Sequence, residues 1–203
     1  MILNLNHLIN KYNIKVDGIL HIGAHHGEEH IIYKNNNIHN IVYFEPLKSN
    51  FEILKNNVDD SIIYNIALGN DVTNIEMFVE TQNAGQSSSI LEPHLHLSQY
   101  PTIVFDRKEI VKMDKLDNIF PTLKSNFNMI NIDVQGYELE VFKGAEKTLE
   151  HIDYIISEIN RDDVYKNCAK INELQFFLSR FGFKLVEENW LGGIWGDGFF
   201  IKQ

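Results

Sequence analysis

Apolar runs of four to six residues alternate with longer segments whose apolar positions recur at helical spacing. The first segment, Leu5–Tyr12, predicts a leading helix within residues 1–15. Gly18–Ile22, Ile41–Phe44 and Ile62–Ala67 predict three buried strands, separated by helices over Glu28–Lys34 and Leu47–Asn57. In the second helix Phe51, Leu54 and Val58 fall on one side. Ile75–Val79 predicts an extra strand. The pattern then breaks over residues 81–102, a polar stretch with a serine run and two prolines; a connection of that length is often functional, and a lid is one reading. Regular structure resumes near Ile103–Val111, with a short helix at Leu116–Phe120. Met129–Asp133 and Tyr154–Ile159 predict two further parallel strands, and Tyr137–Leu149 and Asn172–Phe181 predict helices. Phe183–Glu188 and Phe199–Lys202 predict a closing strand pair.

Strands alternating with helices predict one α/β domain, residues 1–203, with a mainly parallel sheet. Two final strands with no helix between them predict an antiparallel edge. Ligands of such sheets bind beyond the carboxyl ends of the strands, so the residues that follow each strand are the candidates.

Charge and cysteine content narrow the chemistry. The net charge of −10 argues against a nucleic-acid backbone as partner, which is gripped by Lys and Arg. The single cysteine, Cys168, excludes an intrachain disulfide and a cysteine-based zinc site and fits a reducing, cytoplasmic setting. The N-terminal stretch lacks the features of a signal peptide, and no run approaches the roughly 20 apolar residues of a membrane span.

The turn after the first strand, within HIGAHHGEEH, carries four histidines, His21, His25, His26 and His30. Zinc needs three or four convergent ligands, and the spacing supplies no HExxH pattern. A dinucleotide turn wants a second glycine where His25 stands, and a P-loop wants a Lys-Ser or Lys-Thr pair. The turn therefore suits a cofactor with an adenosine and no pyrophosphate. Glu45, at the end of the second strand, offers two acceptor oxygens for ribose hydroxyls, although helix-terminal acids are also common there.

Several segments in order carry a resemblance: HIGAHHGEE, YFEP, NIALGND, the stretch Ser88 to Leu91, NIDVQGYELEVFKGAEKTL, YIISEIN and WGDGFFIK. Through them the chain, from about Val16 onward, resembles the FkbM family of S-adenosylmethionine-dependent methyltransferases. The resemblance implies a class I, Rossmann-like, seven-stranded sheet with helices on both faces. It implies that His21, Gly23, Ala24 and His25 serve the methionine side, Glu45 and Pro46 the ribose, and Ala67 and Leu68 the adenine, with Ser88 closing over the cofactor and Asp133 beside it. His21, His25 and Gln135 depart from the Asp, Asn and Glu common in the family.

Methyl transfer to a hydroxyl needs help in removing the proton. Asp133 and Glu158, at two strand ends, are the candidate catalytic acids, and Asp133, Glu158 and Asn160 form an oxygen set that Mg²⁺ or Mn²⁺ would suit. His94 or His96 is an alternative base, and Trp190, Trp195 and Asp197 are candidates for sugar contact. The expected activity is O-methylation of a sugar or glycan hydroxyl. The alternatives are a cofactor-binding domain without catalysis and a nicotinamide oxidoreductase.

Overall fold

The computed structural model describes residues 2–58 and 61–203. Its main sheet contains β1 (Ile19–Ile22), β2 (Ile41–Phe44), β3 (Ile62–Tyr64), β7 (Met129–Ile132), β8 (Tyr154–Asn160), β9 (Phe183–Leu191) and β10 (Trp195–Lys202), in the order β3-β2-β1-β7-β8-β10-β9. All neighbours are parallel except β10, which runs antiparallel to both β8 and β9. The antiparallel edge follows from the tight Gly192-Gly193 turn, in which both glycines take positive φ. It brings Trp190 and Trp195 into strands longer than the hydrophobic runs predict.

Strands β1, β2 and β7 are buried along their whole length, because helices cover both faces. Leu20, Ile22, Val42, Phe44, Ile130 and Ile132 pack under α5 (Leu116–Ile119), α6 (Glu138–Lys143) and α7 (Ile171–Ser179). The alternate residues Ile19, Ile41, Tyr43 and Met129 pack under α1 (Leu5–Tyr12), α2 (His30–Asn35) and α3 (Lys48–Asn57). Asn4 caps α1 by accepting the His7 amide at 3.0 Å.

Two predicted elements come out differently. The third strand stops at Tyr64, because Asn65 turns its side-chain amide onto the carbonyls of Glu45 and Pro46, each at 2.9 Å. Ala67–Leu68 then forms β4 of a separate three-stranded sheet, ordered β4-β6-β5, with β5 at Thr73–Glu80 and β6 at Phe105–Asp114. The helix predicted over Tyr137–Leu149 ends at Lys143. Gly144 lies so close to Gly69 that an added Cβ would stand 2.0 Å from the Gly69 carbonyl oxygen, and a 3-10 turn at Thr148–His151 takes over.

The stretch 81–102 wraps around a buried carboxylate. Glu80 accepts the amides of Asn83 at 2.7 Å and Ser87 at 3.4 Å. A short helix, α4 (Leu95–Gln99), follows. Among the described residues, no helix is long and apolar enough to cross a membrane.

Candidate active site

The register brings three strand ends together. Ile22 pairs with Phe44 on one side and with Ile132 on the other, so Gly23, Glu45 and Asp133 emerge side by side at the point where strand order reverses. The Gly23 and Ala24 amides both donate to the Phe44 carbonyl at 3.0 Å, and the Asp133 amide donates to Ile22 at 3.0 Å. Gly23 has a φ of +77°, and a Cβ there would lie 1.9 Å from the Asp133 carbonyl oxygen. Only glycine lets the two turns meet.

Two clefts open from this point. The first is the tighter of the two. Gly23, His25, Glu45, Pro46, Ala67, Leu68, Ser88 and Asp133 all line it, so eight of the ten residues proposed from sequence to hold the cofactor converge. His21 and Ala24 line the second cleft instead. The far wall of the first cleft is apolar, with Ile66, Met77, Ile90 and Tyr137. Gly85 and Gln86 cover it, and the His25 Nε2–H donates to the Ala84 carbonyl at 2.9 Å.

Glu45 is buried, and its two oxygens accept the amides of His25 and Leu47, each at 2.9 Å. Burial pushes its pKa up to about 7, against the pull of those two amides. Each carboxylate oxygen keeps a further lone pair for a hydroxyl donor.

Glu158 and Asp197 lie opposite one another in the β8–β10 pairing, and both line the second cleft. Asp133 lines both clefts. The Gln135 side chain joins the acids: its Nε2 donates to Asp133 at 2.6 Å and to Glu158 at 2.8 Å. Gln135 reaches this position from a left-handed turn, at φ 55°. Its Oε1 lies 2.8 Å from the Tyr165 hydroxyl, which also sits 2.7 Å from the Ser87 carbonyl. Burial, with the nearby charges of Asp133 and Glu138, raises the Glu158 pKa well above the ordinary carboxylate range.

Of the three oxygens proposed for a metal, Asp133 and Glu158 come together, whereas Asn160 turns its amide NH₂ toward Glu158 at 3.1 Å. Glu138 takes the third place: carboxylate oxygens of Asp133, Glu138 and Glu158 lie within 4.8 Å of one another. Glu138 already accepts the amides of Val134 at 3.0 Å and Gly136 at 3.1 Å.

The histidines divide. His21 and His30 are buried beside tyrosines, with His30 Nδ1 2.8 Å from the Tyr43 hydroxyl and His21 Nδ1 3.2 Å from that of Tyr33. His25 and His26 stack at 3.7 Å beside Glu28. Stacked rings set their in-plane lone pairs side by side, which is a poor arrangement for one zinc ion. His96 is buried against Tyr100, Phe105 and Tyr165 and lines the second cleft, whereas His94 is exposed. Trp195 and Asp197 also line that cleft; Trp190 stands apart, under the Arg161 guanidinium at 3.7 Å.

Counted along the large sheet alone, the strand order is 3-2-1-4-5-7-6, with the last strand antiparallel and a cleft at the switch point. That is the fold of the class I S-adenosylmethionine-dependent methyltransferases. The Methyltransferase FkbM domain matches residues 21–185, and the chain belongs to that family. A 2-O-methyltransferase, NoeI, of Sinorhizobium fredii (strain NBRC 101917 / NGR234) is 29% identical over 96 residues, 47% of this chain. The match spans 40% of that relative's length. Among solved structures, the magnesium protoporphyrin IX methyltransferase of Synechocystis PCC 6803, with bound S-adenosylmethionine, superposes with a TM-score of 0.55 at 8% identity, over 98% of this chain and 76% of that one. A TehB-like methyltransferase of Corynebacterium glutamicum ATCC 13032 Kitasato gives 0.51 at 10% identity, over 100% and 89%. At these identities the likeness is one of fold.

Proposed function

We propose that this chain is an O-methyltransferase that places a methyl group on a hydroxyl of a sugar or glycan, with S-adenosylmethionine as donor. The observation that carries this reading is the meeting of the two clefts at Asp133, with Glu158 beside it in the second. The residues fit the donor. Gly23 and His25 form a turn with close backbone approach, Glu45 offers lone pairs to ribose hydroxyls, and Ala67, Leu68 and Met77 give an apolar slot for a purine. When bound, S-adenosylmethionine supplies a methyl carbon activated by its sulfonium sulfur.

The protein aligns the acceptor and takes its proton. Asp133, at the junction, is the group that faces the acceptor hydroxyl. Glu158 and Asp133 share negative charge at close range, and Gln135 holds the two together. Burial and the neighbouring charges make Glu158 a stronger base than a solvated carboxylate, which suits deprotonation of an alcohol. Gly85, Gln86 and Ser88 act as part of a lid, since they roof the first cleft. The name of the NoeI relative supports transfer to oxygen. The Trp195 indole and the Tyr100 ring, linked by an Nε1–H bond of 3.0 Å to the tyrosine hydroxyl, support a sugar ring in the second cleft.

The oxygen set of Asp133, Glu138 and Glu158 is chemically suited to Mg²⁺ or Mn²⁺. The present geometry does not fit one, because the Gln135 amide occupies the position between Asp133 and Glu158 and two backbone amides hold Glu138. We assign the bridging role to Gln135. Calorimetric titration with S-adenosylhomocysteine tests the reading, with NADH as control and Mg²⁺ added in a second series. Binding of the thioether alone is expected, and binding of NADH in its place would overturn it.

A further inference from the structure

Tyr165 is fully buried and lines neither cleft, yet its hydroxyl stands between the two halves of the site. The hydrogens around it can be counted. The Gln135 amide has two, and it directs them to two acids, Asp133 at 2.6 Å and Glu158 at 2.8 Å. Turning the amide over would set its oxygen against both acids and would require a proton on each, so that oxygen faces Tyr165 instead, at 2.8 Å. The Tyr165 hydroxyl carries one hydrogen. Both groups beside it, the Gln135 Oε1 and the Ser87 carbonyl at 2.7 Å, are acceptors. Burial, with the charges of Glu158 and Asp133, raises the Tyr165 pKa well above the ordinary tyrosine value, so the hydrogen stays in place. It can serve one carbonyl at a time.

The two acceptors belong to different machinery. Gln135 bridges the acids. Ser87 lies in the roof, between Gln86 and Ser88, which line the first cleft. The roof is joined to the same region at further points. The Ser89 hydroxyl donates to the Gln135 main-chain carbonyl at 2.7 Å. The amides of His94 and His96 donate to the Val164 carbonyl at 3.0 and 3.1 Å, and the Lys166 amide donates to Glu92 at 2.8 Å. Those bonds fix the segment that carries Tyr165 against the roof, and the hydroxyl rotor is the part that has two settings.

We propose that Tyr165 is a positioning residue that couples the roof of the cofactor cleft to the acid pair, by turning its one hydrogen between the Ser87 carbonyl and the Gln135 oxygen. The O–H bond stays intact and rotates about the bond from the ring to the oxygen. With the hydrogen on Gln135, the amide is polarised and held against Asp133 and Glu158. With it on Ser87, the roof is pinned and the amide is free to turn, which lets the acids receive a proton from the acceptor. The rotor is a two-state element that both sites bias. When the roof settles over an occupied first cleft, the hydrogen turns to Ser87, so the acids are released under a closed roof. The inference rests on the methyl-donor reading of the first cleft and is independent of which acceptor is used.

The test measures S-adenosylhomocysteine affinity by calorimetry in two variants with opposite expected signs. Tyr165→Phe keeps the ring and removes the hydrogen. Affinity is expected to fall by about fivefold, the effect of one lost hydrogen bond to the roof. Gln135→Leu removes the competing acceptor and leaves the hydrogen to Ser87. Affinity is expected to rise by about twofold, as release of an evenly shared hydrogen requires. A residue that only fills space would not give a gain at Gln135. The second readout is the side-chain amide resonance pair of Gln135 in ¹⁵N-labelled protein, assigned by its loss in Gln135→Glu. S-adenosylhomocysteine should shift the pair further in the wild type than in Tyr165→Phe, whereas direct contact with the ligand would shift both alike. Equal shifts, or an affinity in Gln135→Leu at or below that of the wild type, would overturn the coupling and leave the donor reading standing. Absence of S-adenosylhomocysteine binding to the wild type would remove the donor reading and this inference with it.

Discussion

The two clefts use carboxylates in opposite ways. In the first, Glu45 is held by two backbone amides at the end of β2, in a wall otherwise largely apolar. In the second, side-chain amides do the holding: Gln135 bridges Asp133 and Glu158, and Asn160 donates to Glu158 as well. Backbone donors are fixed by the sheet register and recognise a constant partner. Side-chain donors can rotate, so charge and protons can redistribute during a reaction. On the proposed function, recognition and chemistry are separated by the kind of donor that restrains each acid, while Gly23, lining both clefts, joins them.

The largest effect tests that joint. Gly23→Ala drives a methyl group into the Asp133 carbonyl, and we expect loss of both cofactor binding and activity, with a fall in Tm; unchanged binding would show that the turns can part. Next, Asp133→Asn is expected to lower kcat by about 10³-fold while affinity for S-adenosylhomocysteine stays within a few-fold. A parallel fall in affinity would move Asp133 to the recognition side of the comparison. Exchange of Gln135 for Glu removes the amide bridge and adds a fourth acid beside Asp133, Glu138 and Glu158, so the acidic limb of the kcat/KM profile should move to higher pH. If the profile stays in place, Gln135 does not couple the pair.

Glu45 gives a smaller, pH-dependent effect. Only its ionised form accepts two hydroxyls, so affinity for S-adenosylhomocysteine should rise by roughly tenfold between pH 6 and pH 8, around its pKa of about 7. Glu45→Gln should flatten that dependence. For stability the sign is opposite. A folded-state pKa raised above the ordinary value of 4.5 gives a contribution that is complete at low pH and lost as pH rises from about 4.5 through about 7. The Tm of Glu45→Gln relative to wild type should therefore be higher at pH 8 than at pH 5. The smallest change is Ser89→Ala. It removes a 2.7 Å bond from the hydroxyl to the Gln135 carbonyl and should cost about 1 kcal/mol in urea unfolding.

The recognition side was the more legible in the sequence. Glu45 and Gly23 lie directly after apolar runs, and a parallel sheet places such residues at its carboxyl edge whatever the side-chain details. Asp133 was legible on the same ground. The bridge was not. Gln135 stood out only as a departure from the family, and its reach depends on a left-handed turn that no apolar periodicity encodes. Tyr165 left no signal, because it lies in an irregular segment between β8 and α7 and acts through contacts distant in sequence. Asn160 was expected to offer its oxygen and presents its NH₂ group to Glu158 instead; the identity of an amide does not say which end faces a neighbour. The break of the third strand was also hidden, since Ile62–Ala67 reads as one apolar run until Asn65 finds two carbonyls to bind.

The contact between Gly69 and Gly144 has a consequence for ligand size. No side chain separates the end of β4 from the end of α6, and an added methyl at Gly144 would stand 2.0 Å from the Gly69 carbonyl. At Gly69 it would press on Met113 and on Tyr137, which itself lines the first cleft. The spacing of that wall is therefore gauged by main chain against main chain. A slot calibrated in this way keeps its width when the side chains around it drift, so this end of the cleft can hold one flat ring constant while the acceptor end diversifies.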